Sequence, residues 1–446
     1  MGVFKGFGFG DYSPTLYPAL LLQTATVAGG ADVRPTVEEH LDELVSTLTT
    51  WKPKVGLGRI VPEKVTVTGH DHEELVANIN NHFIKNLWSE GWPLTPPTEK
   101  KVKWILTGTK LDRNEVVAKI PPLGGIATVE KIAVNLAMVG GRPEYLPVLI
   151  AAIRLLTRNM EDFSQSLQTT NAVTPAIIVN GPIARQIRIN SGDGVLGPSE
   201  YYPGGAILGR ALRSVVRCIG GAVTGFTAMS VYGNPSRFGL LFMAEDEVNS
   251  PWNPISEDMG LPRGANAVTA VPTTGSILMT LTPEGSMEDY IDRIADWMKY
   301  PTANQFSDCG NGEPKGALLM SAEHAKVLAK AGWTKEKLKK GLMEHATWPA
   351  SQFRKHIPQW QMQSFLPRRC PQIIPGLEAN SPAIPLIHPP DEIMIIVAGG
   401  PFRIYLSMLE IGWGFKGTQQ VEELPANWDE LIKQAEKDLG PIPTVA

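Results

Sequence analysis

The chain has 446 residues, 43% of them hydrophobic and 19% charged, with 41 Lys and Arg against 45 Asp and Glu. At roughly 150 residues per domain this predicts two or three domains around a sizeable core, and without a Lys/Arg stripe to track phosphates, nucleic acid is not an expected partner. Cys218, Cys309 and Cys370 are too few and scattered for a disulfide framework or a Cys-based zinc site, and no basic leader or long apolar window is present, so a cytoplasmic, membrane-free protein is expected.

Residues 1–64 are rich in Gly, Pro and Thr, with one helical stretch from Thr36 to Thr50, and read as an arm or cap that packs on a neighbouring subunit of a homo-oligomer. From Val65 a short strand, VTVTG, leads to His70-Asp71-His72 and a helix running to Trp88. His70 and His72 could ligate a metal as an H-x-H pair. Asp71 and Glu74, however, form a D-x-x-E capping box for a helix beginning at His72, which is the preferred reading. The segment Gly91 to Thr98 (GWPLTPPT) then breaks the chain. Thr128 caps the run VEKIAVNLAMV, Gly140-Gly141 makes a turn, and Pro143 begins a second helix through Leu156, a hairpin whose apolar faces belong to the core.

Between Ile177 and Gly221 the sequence is richest in chemistry. An apolar strand ends in Asn180-Gly181-Pro182, a second short run ends in Asn190-Ser191-Gly192-Asp193-Gly194, and Gly204-Gly205 open a helix. Amide side chains and flexible backbone at strand ends are where open α/β sheets hold ligands. Arg210, Arg213 and Arg217, spaced by three and four, share one helix face. Arg forks and backbone N–H groups together satisfy carboxylate or phosphate oxygens, while the plain alternative is a solvated basic face.

Arg237 to Ala244 reads as a buried strand delivering Glu245, Asp246 and Glu247 to a strand end, ahead of the turn formers Asn249-Ser250-Pro251 and Trp252. Alternation along an extended strand predicts that Glu245 and Glu247 point together and Asp246 away. Ala267 to Val271 and Ser276 to Leu281 are expected strands, followed by a helix from Met287 to Met298. Further on, Ala317 to Met320 is a strand, Ser321 and Thr334 cap successive helices to Ala331 and His345, and Ile393 to Ala398 is a buried parallel strand ending in Gly399-Gly400. No internal repeat is visible. The expected fold is α/β, multi-domain, with mixed or parallel sheets, a helical hairpin and an N-terminal arm, divided as 1–64, 65–300 and 301–446.

The blocks GWPLTPPT (91–98), PPLGGIATVEKIAVNLAMVGGRPEYLP (121–147), VNGPIARQIRINSGDGVLGP (179–198), GRALRSVVRCIGG (209–221) and AEDEVNSPW (244–252) resemble a family of bacterial and fungal proteins associated with the UGSC motif, a cysteine or selenocysteine signature on a short domain or a separate small partner. The likeness spans roughly residues 65 to 415. It implies a thiol- or selenol-dependent oxidoreductase subunit working with a small UGSC-type partner. The chain itself lacks the UGSC string, its nearest segment being Ser307-Asp308-Cys309-Gly310-Asn311, and it carries Gly140-Gly141 where relatives are expected to have Gly-Cys. With no basic neighbour to lower its pKa, Cys309 reads as a passive loop cysteine.

No P-loop and no strand-borne G-x-G-x-x-G is present, so NAD or ATP is not expected; the cofactor is unknown, with a divalent cation at the acids left open. The residues themselves favour an enzyme acting on a small anionic organic molecule by lyase or hydratase chemistry. Asn180, Asn190, Ser191, Arg210 and Arg213 would bind the substrate, and Glu245 and Glu247 would move the proton. A non-catalytic subunit that binds a small molecule or stabilises a partner is the third reading.

Overall fold

The computed structural model describes residues 34–39, 41–50, 65–307, 315–364, 366–412, 414–422 and 424–442. The chain divides into two compact units, 1–87 and 88–446. In the first, helices run over Arg34–Glu39, Leu41–Thr50 and His72–Lys85. Asp71 Oδ1 accepts from Glu74 N at 2.8 Å and Glu74 Oε2 accepts from His70 N at 2.6 Å. This reciprocal capping box explains the His-Asp-His segment as a helix start. The expected strand at Val65 to Gly69 does not form.

The second unit opens with a helical hairpin. Helix α1 (Val129–Met138) is capped by Thr128, whose hydroxyl accepts from Lys131 N, and helix α2 (Leu146–Arg158) follows a 3₁₀ turn at Pro143–Tyr145. Nearly every residue of α2 from Leu146 to Leu156 is buried. At the turn between them a Cβ on Gly141 would lie 2.7 Å from the Leu136 carbonyl oxygen and 2.2 Å from its side chain. A cysteine there would require the backbone to shift.

The strands of the main sheet are β1 (Thr174–Asn180), β2 (Leu241–Ala244), β3 (Ala267–Thr280), β4 (Lys315–Met320), β5 (Ile393–Val397), β6 (Tyr405–Gly412) and β7 (Gly417–Gln420). They form one mixed sheet in the order β2-β1-β3-β6-β4-β5, with β7 pairing β3. Strands β1 and β2 run parallel with β3 antiparallel to β1, and likewise β4 and β5 run parallel with β6 antiparallel to β4. The order is therefore the same read from either edge. Two β-crossover-β units, each with a returning strand, meet at the β3–β6 pair, an internal symmetry that the residues do not display. The boundary expected at residue 300 falls inside a helix, Met287–Ser307, and strands from both sides of it interleave in this sheet. The two strands expected over 267–281 are one strand, β3, and the expected strand from Arg237 forms only from Leu241.

The sheet curls. Asp246 N donates to Val397 O at 2.8 Å, joining the C-terminal ends of edge strands β2 and β5. Because side chains alternate across a strand, one set fills the concave side, with Ile178, Met243, Val271, Leu319, Ile396 and Leu409 in one cluster. The other set, including Leu318, Met320, Ile395 and Met408, packs beneath helices 287–307, 322–330 and 335–345.

Helix α3 (Gly204–Cys218) makes the crossover from β1 to β2 and lies directly on the β2 backbone. Gly205 and Gly209, one turn apart, allow this: a Cβ would fall 2.7 Å from Phe242 O and 1.9 Å from Leu240 O respectively. Gly209→Ala should therefore cost about 2–3 kcal/mol, by overpacking against fixed backbone. Gly192→Ala, whose Cβ meets nothing nearer than 3.9 Å, should stay within about 0.5 kcal/mol. Denaturant midpoints of the two variants check this, and equal midpoints would show that the helix can lift from the strand.

Candidate functional site

The acids behave as strand alternation requires. At the C-terminal end of β1, the Asn180 side chain donates through Nδ2 to Glu245 Oε2 at 2.7 Å and to Glu247 Oε1 at 3.2 Å. Gly181 N also donates to Glu247 Oε1, at 2.7 Å. Asp246 turns away and accepts from Asn249 Nδ2 at 3.0 Å.

Glu245 is buried and takes donors from three elements: Asn180 from β1, Ile255 N at 2.7 Å from the following helical turn, and Val397 N at 3.4 Å from β5. Burial pushes its carboxyl up from the ordinary value, and Glu247 adds to that push, while Lys335, the Ile255 N–H and Asn180 oppose it. Lys335 is held by Asp258 Oδ2 at 2.7 Å and Asn253 O at 2.6 Å. The Asn180 Oδ1, fully buried, has no partner. Glu247 also faces a cavity of about 210 Å³ that it shares with Ser250, Trp252, Glu257 and Arg263.

The arginines lie elsewhere. Helix α3 packs with Gly205 beside Phe242 and Gly209 beside Leu240, so its later residues run back toward the N-terminal end of β2. Arg210 lies beside Gly239 and over the Trp92 ring, 4.9 Å from its centroid, and donates to Pro93 O at 3.4 Å. The four residues of β2, roughly 13 Å of strand, separate that end from Glu245. The Arg site and the acid site, expected as one, are two.

Asn190 is folded into its own loop, its Nδ2 donating to Asp193 O at 2.8 Å and its Oδ1 accepting from Gly192 N at 3.0 Å. Ser191 takes part through its backbone, accepting Gly399 N at 2.8 Å. Neither side chain joins the acids or the arginines. Arg213 and Arg217 are buried; Arg217 pairs with Glu90 and donates to Trp88 O at 2.6 Å. Burial, then the nearby Arg217 and Arg237, lowers Arg213 to about 10, still cationic at neutral pH.

Arg210 lines a cavity of about 490 Å³ at the open side of the curled sheet. Its walls are Trp92, the Leu196–Pro198 loop, the first turn of α3 at Gly205-Ala206, Gly239 to Phe242 of β2 and its approach, and Thr273 to Ser276 of β3. Gly205, Ala206 and Gly239 contribute small residues to this lining. Among the described residues Arg210 is its only charged lining group, and the Arg210 Nε is buried without an acceptor. The first turn of α3 carries no acidic residue and no side-chain cap, so its N–H groups add positive potential at the same wall. Burial lowers the Arg210 pKa as well.

Trp92 and Leu196 gave no signal because each sits in a segment that reads only as chain-breaking or turn, and Gly239 gave none because it lies inside the run 237–244 that reads as a strand. Arg263, in a Pro-Arg-Gly turn, gave no signal either. Burial pushes the Cys218 thiol up, against thiolate formation, and Cys309 lies outside the described residues. Among the described residues no group of three His, Cys, Asp or Glu side chains is placed to hold a metal, and no helix is long and apolar enough to cross a membrane.

The raised pKa of Glu245 has a signed consequence. The folded state holds this proton more tightly than the unfolded chain, so the associated stability is complete below the unfolded value of 4.5 and is lost as pH rises through the higher folded value. Glu245→Gln should flatten that loss: the difference in Tm between variant and wild type should move in favour of the variant as pH rises above about 4.5. A difference independent of pH from 4 to 8 would mean that the three donors, not burial, govern the carboxyl.

Comparison of the chain with known protein families, with curated proteins and with solved structures finds no match in any of the three.

Proposed function

We propose that this protein binds a small organic anion with an apolar body in the cavity lined by Arg210. The observation that carries the reading is the pairing of a cavity of about 490 Å³ with one lining cation, Arg210, whose buried Nε lacks an acceptor. A concave, mainly apolar site with few convergent polar groups is the usual form of a small-molecule site. An Arg fork beside helix N–H groups matches a carboxylate or phosphate head, and the Trp92 ring beneath the guanidinium holds that fork in place.

A second reading keeps the lyase or hydratase chemistry and moves it to the smaller cavity. There Glu247, fixed by Gly181 N and Asn180, would take a proton from carbon while Arg263 holds the substrate's anionic group, and the leaving group would depart with its electron pair. The observation favouring it is a carboxylate and a guanidinium sharing one polar cavity at the C-terminal end of β2, the usual ligand side of such sheets.

Calorimetric titration with short alkyl and aryl carboxylates, each matched to its neutral primary amide, separates the two. The Arg210 cavity predicts that acids bind more tightly than amides and that Arg210→Ala weakens the acids roughly 10- to 100-fold, the loss of one charge-assisted bond, with Glu247→Gln binding as wild type. Equal affinity for acid and amide, or undiminished binding by a folded Arg210→Ala protein, overturns it. Binding that responds instead to Arg263→Ala transfers the function to the second site.

A further inference from the structure

Strand β3 outruns its partner on one edge. Strand β1 pairs with it only from Ala267 to Thr273, where Thr174, the first residue of β1, stands opposite Thr273. The other edge of β3 is paired with β6 out to Thr280. Along 276–280 the edge on the β1 side has no strand against it among the described residues. Leu281 N, just beyond, donates to Ile404 O on the β6 side at 2.8 Å. Antiparallel pairs alternate, so Met279 and Ile277 turn their hydrogen-bonding groups to β6, and Thr280, Leu278 and Ser276 turn theirs to the open side. All three are exposed, Leu278 to 62%.

Natural sheets blunt such an edge with charge, proline or a covering element, because unpaired strand groups are a template for another chain. Residues 275–280, GSILMT, carry neither charge nor proline. Each face of this edge also meets a cavity. Ser276 lines the Arg210 cavity on the concave face. Ile277, the next residue, lines a cavity of about 430 Å³ against the helix Met287–Ser307, where Trp297 and Tyr300 are both exposed. Successive side chains of an added strand alternate between the same two faces, so neighbouring residues would enter different cavities. Charge complementarity selects the first of them: the Arg210 cavity has a cation and, among the described residues, no acid in its lining. The second is mainly aromatic and aliphatic, and its one acid, Asp296, is paired with Lys299 at 2.6 Å.

We propose that the open edge of β3 at 276–280 takes an extended peptide segment of a protein partner by strand addition, with an Asp or Glu of the peptide in the Arg210 cavity and the apolar residue beside it against Trp297 and Tyr300. This rests on the reading of the Arg210 cavity as a carboxylate site and identifies that carboxylate as a peptide side chain. Main-chain bonds to Ser276, Leu278 and Thr280 supply affinity that tolerates many sequences, and the two cavities supply the choice of an acidic-apolar pair.

A bead-displayed library of random hexapeptides, sorted for binding to the full chain, tests this. Selected peptides should share an Asp or Glu directly beside Leu, Phe or Trp. In resynthesised binders, methylating the backbone nitrogens one at a time should weaken binding roughly 5- to 10-fold at every second position and little in between, because only alternate N–H groups face β3. Arg210→Ala should weaken the peptides roughly 10- to 100-fold. Trp297→Ala, a change at an exposed position, should weaken them roughly 10-fold while short carboxylates bind as to wild type. Short carboxylates that bind through Arg210 while no hexapeptide is selected sink the strand proposal alone and leave the small-molecule reading standing. Selected peptides without the acidic-apolar pair, uniform tolerance of N-methylation, or undiminished peptide binding by a folded Arg210→Ala or Trp297→Ala protein also overturn the proposal.

Discussion

The buried carboxyl of Glu245 is the point on which the curled sheet depends. It receives a side-chain amide from β1, a backbone N–H from the turn after β2 and a backbone N–H from β5. Strands β2 and β5 lie at the two edges of the order, and they meet only because the sheet bends round until Asp246 can donate to Val397. Removing the carboxyl would take from the Ile255 and Val397 N–H groups the acceptor they share and leave Asn180 with Glu247 alone, and each buried donor left without an acceptor costs about 1–3 kcal/mol. The curl in turn makes the concave core and leaves the opening in which the larger cavity sits.

Close backbone packing governs the other side of that cavity. Helix α3 approaches β2 as nearly as two backbones can, through Gly205 and Gly209. That approach decides where the three arginines go. A crossover helix runs antiparallel to the strands it connects, so its glycine-rich first turn lies toward their C-terminal ends and its later turns toward their N-terminal ends. Arg210 and Glu245, close in sequence on either side of this strand, end at opposite ends of its four residues. Each end then has a cavity of its own, one mainly apolar with a single cation and one polar with both signs of charge.

The same helix shows how one spacing can serve different ends. Arg210, Arg213 and Arg217 follow the three-four rhythm of a single face, yet one meets a cavity and an indole ring, one makes no hydrogen bond or ion pair among the described residues and one is paired to Glu90. Depth explains the division: exposure falls from the half-buried Arg210 to Arg213 and Arg217, both buried. Periodicity reports a shared face, and the elements that cover the face decide what each residue does.

Local physics was legible in the chain. The caps at Thr128, Ser321 and Thr334, the Asp71/Glu74 box, the Gly140-Gly141 turn and the apolar runs at 174–180 and 393–397 all depend on contacts within a few residues, which a linear pattern records. The convergence of Glu245 and Glu247 on one side was legible for the same reason, since a strand alternates with period two. What the chain alone did not determine was every relation between distant segments. The symmetric strand order, the meeting of edges β2 and β5, the separation of the arginines from the acids and the gathering of small residues at 205, 206 and 239 in one cavity lining arise from long-range packing. No local pattern encodes which strand lies beside which, and only the tertiary structure decided that Asn180 faces Glu245 while Arg210 faces Trp92.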